Sequence, residues 1–186
     1  MSLSWPSHLL TLEEWDALPE DSALRLELVE GVLVTSPKPL SWHQKAATRL
    51  SYRIDEQLPD EITALEEVDV LVTVEPPTIR NPDVLVTRTD LYLTNPQRYR
   101  ALDVLLAVEI LSAGTRRVDR VLKFSEYAEA GIPQYWIIDI GRPTTLLAYR
   151  LDGDTYRLSG EYSGHAALDV AGHPVALDLD ALIRRR

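Results

Sequence analysis

Apolar residues alternate with polar ones along some stretches of the chain and recur every three to four residues along others, and these changes of period divide it into elements. Thr11-Leu-Glu-Glu14 has the form of a capping box, followed by Leu12, Trp15 and Leu18 at helical spacing until Pro19, which predicts a short opening helix. Leu24, Leu26 and Leu28 alternate with Arg25 and Glu27, and Glu30-Gly31 then precedes Val32 to Val34, a hairpin ended by Pro37 and Pro39. Trp42, Ala46, Arg49, Leu50, Arg53, Ile54 and Leu58 give a second helix, stopped by Pro59. Ile62 to Val74 and Val84 to Val86 read as successive strands joined by a tight loop holding Pro76, Pro77 and Pro82, while residues 88–103, polar and carrying three arginines, read as a loop.

The stretch from Val108 to Asp139 is the centre of the pattern, a strand, a helix and another strand. Leu105 to Leu111 is almost wholly apolar, as suits a strand covered on both faces, yet Glu109 interrupts it. A carboxylate there is costly unless paired, hydrogen-bonded or bound to a metal. Leu146 to Leu151 and Tyr156 to Glu161 form a second hairpin through Asp152-Gly153-Asp154, and Leu177 to Ile183 reads as a closing helix. No repeat or linker divides the 186 residues, so one domain spanning 1–186 is expected.

Charge narrows the set of partners. The net charge of −10 and pI near 4.8 oppose long-range attraction to polyanions, so any contact with DNA must be local. Basic clusters occur at Arg116, Arg117 and Arg120, at Arg98 and Arg100, and at Arg184 to Arg186, each readable as an ordinary solvated face. The absence of cysteine excludes disulfides and thiolate sites and fits a cytoplasmic location; no apolar run approaches the ~20 residues of a membrane helix. No dinucleotide turn, phosphate loop or Gly-x-Ser-x-Gly elbow occurs, His8, His43, His165 and His173 lack zinc-ligand spacing, and Ser112 has no base that the sequence places beside it.

An oxygen-rich set remains: Asp83 at a strand entrance, Glu109 in the next buried strand, and Asp119 and Lys123 one helical turn apart. Two carboxylates on neighbouring strands suit a hard divalent ion such as Mg2+ or Mn2+, and a nearby lysine can orient a water or offset developing charge, which are the parts phosphodiester hydrolysis needs. Buried acids grouped in this way repel one another, so without a cation at least one is expected to have a raised pKa.

Asn81-Pro-Asp83, Val108-Glu-Ile-Leu-Ser112, Thr115-Arg-Arg-x-Asp119-x-x-x-Lys123 and Tyr127-x-x-Ala130-Gly-Ile-Pro-x-Tyr-Trp136-x-x-Asp139 resemble the Uma family of putative restriction endonucleases, within the PD-(D/E)XK nuclease superfamily. Leu26 to Gly31, with Ser36-Pro37 and His43, is similar to that family's amino-terminal hairpin and helix start, and the resemblance spans roughly residues 11–183. It implies an α/β restriction-endonuclease-like core, a mixed β-sheet flanked by helices with hairpins at both ends, a metal site at Asp83 and Glu109, and a metal-dependent cut in DNA. The superfamily places its lysine two residues after the second acid, where this chain has Leu111; Lys123 on the following helix is the matching residue. Dimers are common in the superfamily, so a homodimer is expected.

Each candidate also has a plainer reading. Glu109 can be a buried acid satisfied by an arginine, Glu27 either a third acid of the site or an outward strand residue, and His43 a helix-start residue or one that points into the cleft. Asp119 can cap its helix or pair with Lys123, and Tyr127, Trp136 and Asp139 suit structural roles. Lys123 lies off the stripe of Val118, Val121, Leu122, Ser125 and Ala128, where a lysine would face solvent, although Phe124 and Tyr127 extend apolar character toward it. Lysine is also scarce, three against sixteen arginines, and a compact ammonium suits a place beside a metal-bound water. Two other functions are open: a nuclease-like scaffold that binds nucleic acid or a protein without cutting, and hydrolysis of a small phosphate ester.

Overall fold

The computed structural model describes residues 7–18, 24–111 and 121–184. Thr11 caps α1 (Leu12–Asp16) with the expected capping box: its side chain accepts the Glu14 N–H, and the Glu14 carboxylate accepts the Thr11 N–H. The first hairpin is β1 (Leu24–Val29) and β2 (Val32–Pro37), turned through Glu30 and Gly31, both at positive φ. The second helix is α2 (Ser41–Asp55).

The run from Ile62 to Val74 breaks in two. β3 (Ile62–Glu66) and β4 (Val70–Val74) join different sheets, because Glu67 takes a positive φ and turns the chain between them. The proline-rich stretch read as a loop contains β5 (Pro77–Arg80), for Pro77 sits at the strand's first position, where a missing N–H is tolerated. β6 (Val84–Arg88) follows. Residues 88–103 are packed structure and not a free loop: α3 (Thr89–Tyr92), β7 (Tyr99–Arg100) and a 3-10 turn at Ala101–Asp103, with Tyr99 and Ala101 buried.

β8 (Val104–Leu111), α4 (Lys123–Glu129) and β9 (Gln134–Asp139) form the central unit. The start expected for its helix, with Ser112, Arg116, Arg117, Asp119 and Arg120, lies outside the described residues, as do Arg185 and Arg186. β10 (Thr145–Asp152) and β11 (Thr155–Ser163) make the second hairpin. The closing helix is corrected to a third hairpin, β12 (His165–Val170) with β13 (His173–Asp178), and a 3-10 turn at Asp180–Leu182. Val175 and Leu177 alternate inward there, a period of two that the shorter window beginning at Leu177 missed.

Among the described residues, β11-β10-β9-β8-β6-β3 form a mixed sheet in which β8 and β9 run parallel, and β2-β1-β5-β4-β7 form a second sheet. This is the α/β, restriction-endonuclease-like architecture. Ala46, Leu50 and Ile54 of α2 pack with Val84, Val86, Val108, Ile110 and Trp136 in one core, and Leu85, Ala107, Leu111, Tyr135 and Ile137 pack with Tyr127 and Ala128 of α4 in another. The alternation along β8 therefore puts Glu109 in register with Ala107 and Leu111, on the α4 side. Among the described residues no helix is long and apolar enough to cross a membrane.

Candidate functional site

β6 pairs antiparallel with β8, Val84 opposite Val108, so Asp83, the residue just before β6, and Glu109, the residue after Val108, lie beside each other. Both are buried, and together with Arg25, Glu27, His43 and Lys123 they line one cavity of about 320 Å3. β1 of the second sheet brings Arg25 and Glu27, the first turn of α2 brings His43, and the first turn of α4 brings Lys123. The sequence set Asp83, Glu109, Glu27 and Lys123 thus converges on one place, with His43 pointing into the cleft. Asp119 lies outside the described residues. Asp139 ends β9 and accepts the Gly141 N–H, while Trp136 packs in the core.

Asp83 Oδ2 accepts the Ile110 N–H at 2.7 Å and lies 3.1 Å from His43 Nε2, while Oδ1 accepts Arg25 Nη1 at 2.8 Å. Glu109 Oε1 accepts Lys123 Nζ at 2.9 Å and the Tyr127 hydroxyl at 3.0 Å. Lys123 also lies 3.1 Å from Glu27 Oε1, which accepts the Asn81 N–H, and Glu27 Oε2 accepts Arg80 Nη1 at 3.0 Å. Arg80 spends its other edge on a bidentate pair with Glu126, both contacts at 2.7 Å. His43 Nε2 lies 2.9 Å from the Ile110 carbonyl and between two acceptors, so that nitrogen carries the hydrogen.

These contacts correct the helical-wheel reading of α4. Lys123 is only 4% exposed, whereas Val121 and Leu122, placed on the inward stripe, are about half exposed at 56% and 50%. Lys123, Glu126 and Tyr127 share one face at i, i+3 and i+4, and that face lies on the site, because the acids beneath it reward a polar contact there more than an apolar one.

Electrostatics follow the pairing. Burial works against the Asp83 carboxylate, but the His43 hydrogen bond and the Arg25 guanidinium outweigh it and hold its pKa down to about 2. Burial likewise opposes ionisation of Glu27, yet Lys123 and Arg80 keep its pKa below the usual value. The expected upward shift does not fall on either of these two acids, because the protein supplies each with its own cations. Burial lowers the basicity of His43, but its contacts with Asp83 prevail and raise its pKa, whereas burial and the neighbouring Glu109 push the Tyr127 hydroxyl well above its normal range. Beside the site, Asp69 has its pKa raised by burial, against the hydrogen bond from Asn81.

The donor set, Asp83 and Glu109 with the Ile110 carbonyl nearby, has the oxygen chemistry of a hard divalent ion. Among the described residues no three His, Asp or Glu side chains stand in a ready metal-holding group; the carboxylates are turned onto Arg25, Lys123, Arg80 and Tyr127. The chemistry fits an ion, and its charge would compete with cations already in place.

Arg25, Arg80, Glu126 and Tyr127 were not read as site residues from the sequence. Arg25 shares the alternating pattern of β1 with Glu27, and Arg80 lies one residue before the Asn81-Pro-Asp83 motif; their signal was basic residues interleaved with acids already under suspicion.

No curated protein matches the chain. Among solved structures, one titled a putative nuclease belonging to DUF820 from Anabaena variabilis ATCC 29413 aligns with a TM-score of 0.69 and 20% identity, covering 94% of this chain and 99% of the other, a likeness of fold. The family model described as "Putative restriction endonuclease", Uma2, matches residues 12–181, and the chain belongs to that family.

Proposed function

We propose that the protein is a metal-dependent endonuclease that hydrolyses phosphodiester bonds of DNA, with Asp83 and Glu109 as the groups that hold a Mg2+ or Mn2+ ion. The observation that supports this most is the convergence of Asp83, Glu109 and Lys123 from three separate elements on one cavity. When bound, such an ion polarises a phosphoryl oxygen and lowers the pKa of a coordinated water. Lys123 Nζ stands between Glu109 and Glu27 and so sets a positive charge beside the reacting phosphate. Glu27 takes part through Lys123: paired also with Arg80, it fixes where the ammonium stands. Tyr127 orients the Glu109 carboxylate, and the Ile110 N–H orients that of Asp83. Two copies of such a centre would let both strands of a duplex be cut in one encounter, and we propose a homodimer.

The net charge of −10, together with the internal pairing of the acids, favours a second reading in which the same cavity takes a small phosphate ester and duplex DNA is not cut. Supercoiled plasmid and an aryl phosphodiester, each incubated with protein and MnCl2 or MgCl2, separate the two. Nicked or linear plasmid supports the endonuclease. Release of the aryl alcohol with intact plasmid supports the small-ester reading, and retention of DNA with neither reaction supports a binding scaffold.

A further inference from the structure

Asp83 is saturated on one side only. Its Oδ2 already accepts the Ile110 N–H at 2.7 Å and faces His43 Nε2 at 3.1 Å, which uses both lone pairs of that oxygen. Oδ1 is the oxygen that carries Arg25, through Nη1 at 2.8 Å. A divalent ion coming to Asp83 would therefore meet it at Oδ1, directly beside a guanidinium. The guanidinium has a second hold that does not involve Asp83: Nη2 donates to the Asn81 carbonyl and, at 3.0 Å, to Asn81 Oδ1. Its Nε is buried and has no hydrogen-bond partner among the described residues.

Resting on the metal-dependent reading above, we infer that Arg25 is a resident counter-ion which competes with the divalent ion for Asp83 Oδ1 and, once displaced from it, presents Nη1 to the substrate phosphate. Asn81 keeps the guanidinium at the cavity wall during the exchange. The planar fork suits a phosphate oxygen as well as a carboxylate, so the same group can change partners without leaving its place. The exchange makes ion binding weaker in the absence of substrate and stronger in its presence, because the phosphate takes up the displaced positive charge.

The test uses the full chain at pH 7.5, with MnCl2 titrated calorimetrically into wild type, Arg25→Met, Arg25→Lys and Glu109→Gln. Methionine keeps an apolar stem and removes the charge. Arg25→Met should bind Mn2+ about tenfold more tightly than wild type or better, since a like charge in contact with the ion has gone. Arg25→Lys should fall between the two, and Glu109→Gln should weaken binding. Without ion, Arg25→Met should melt below wild type, with a larger rise on adding MnCl2; if it does not fold without ion, Arg25→Lys carries the comparison. At saturating MnCl2, Arg25→Met should nick plasmid about a hundredfold more slowly than wild type, the lower end of the loss expected when one preorganised electrostatic contact to a reacting group is removed. Mn2+ affinity in Arg25→Met equal to or weaker than wild type overturns the inference while leaving the metal-dependent reading intact. Tighter binding with unchanged nicking overturns the phosphate contact. No Mn2+ binding by wild type overturns the metal-dependent reading and the exchange with it.

Discussion

Removing the Lys123 ammonium should expose two buried carboxylates to each other. Nζ lies 2.9 Å from Glu109 Oε1 and 3.1 Å from Glu27 Oε1, and the side chain is 5% exposed, so solvent screens these pairs weakly. Breaking a buried ion pair by deleting one partner costs about 3–5 kcal/mol, most of it the charge left behind. Tyr127 and Arg80 remain to share that charge, which places Lys123→Met near the lower end, about 3 kcal/mol, and at 2–4 °C per kcal/mol for a chain of this size the midpoint should fall by about 10 °C. Such a loss departs from the expectation of a solvent-facing lysine, whose replacement would leave folding nearly intact. The assay is thermal and urea unfolding at pH 7.5 for wild type, Lys123→Met, Glu27→Gln and the double variant. Adding Glu27→Gln to Lys123→Met removes that mutual repulsion and leaves Glu109 as the one acid without the ammonium, so the double variant should be more stable than the sum of the single effects by at least about 1 kcal/mol. A Lys123→Met protein within about 0.5 kcal/mol of wild type, or strict additivity, would refute the buried pairing; that interval is the ordinary scatter of surface substitutions.

Lys123→Arg and Lys123→Ala should both abolish plasmid cleavage at saturating MnCl2, and full activity in Lys123→Arg would reduce the residue to a generic positive charge. Asp83 has its pKa depressed from 3.8 to about 2, so the folded state binds fewer protons than the unfolded one; its contribution is complete above about pH 4 and is lost as pH falls through 2. At 1.36 kcal/mol per unit this is about 2 kcal/mol, and wild type should lose that much more than Asp83→Asn between pH 5 and pH 2 in urea unfolding; equal losses would contradict it. Tyr127→Phe removes a hydrogen bond to a buried carboxylate and should cost about 2 kcal/mol, while an unchanged urea midpoint would leave the ring with a packing role alone. MnCl2 or MgCl2 should raise the melting temperature of wild type and not that of Asp83→Ala or Glu109→Ala; a full rise in either variant would place the ion elsewhere.

The acids of the site were legible because each broke a local rule. Glu109 stood in an apolar strand, and Asp83 followed a proline at a strand entrance, so both demanded a partner before any partner was known. The partners were less legible. Arg25 and Arg80 sit on strands of the second sheet, and period-two alternation cannot tell which face of a strand a second sheet or helix will cover. Lys123 was misplaced on the helical wheel for the same reason: a hydrophobic stripe marks the buried face only when the surface beneath it is apolar, and here it holds Glu109 and Glu27. Tyr127 was read for its ring and not for its hydroxyl. Of the fold, the capped helix, α2, two hairpins and the central strands followed from pattern, whereas β5 and β7 were hidden in short segments rich in proline or polar residues, and the β12-β13 hairpin in a period of two that a window beginning at Leu177 cuts short.

The central claim, that Asp83 and Glu109 form the working centre of a nuclease, is tested most directly by plasmid nicking with wild type and Glu109→Ala under the same MnCl2 or MgCl2 concentrations, with folding of both verified by circular dichroism. Wild type should convert supercoiled plasmid to open-circular or linear form while folded Glu109→Ala leaves it supercoiled. Intact plasmid with wild type, or equal cleavage by Glu109→Ala, would contradict the claim.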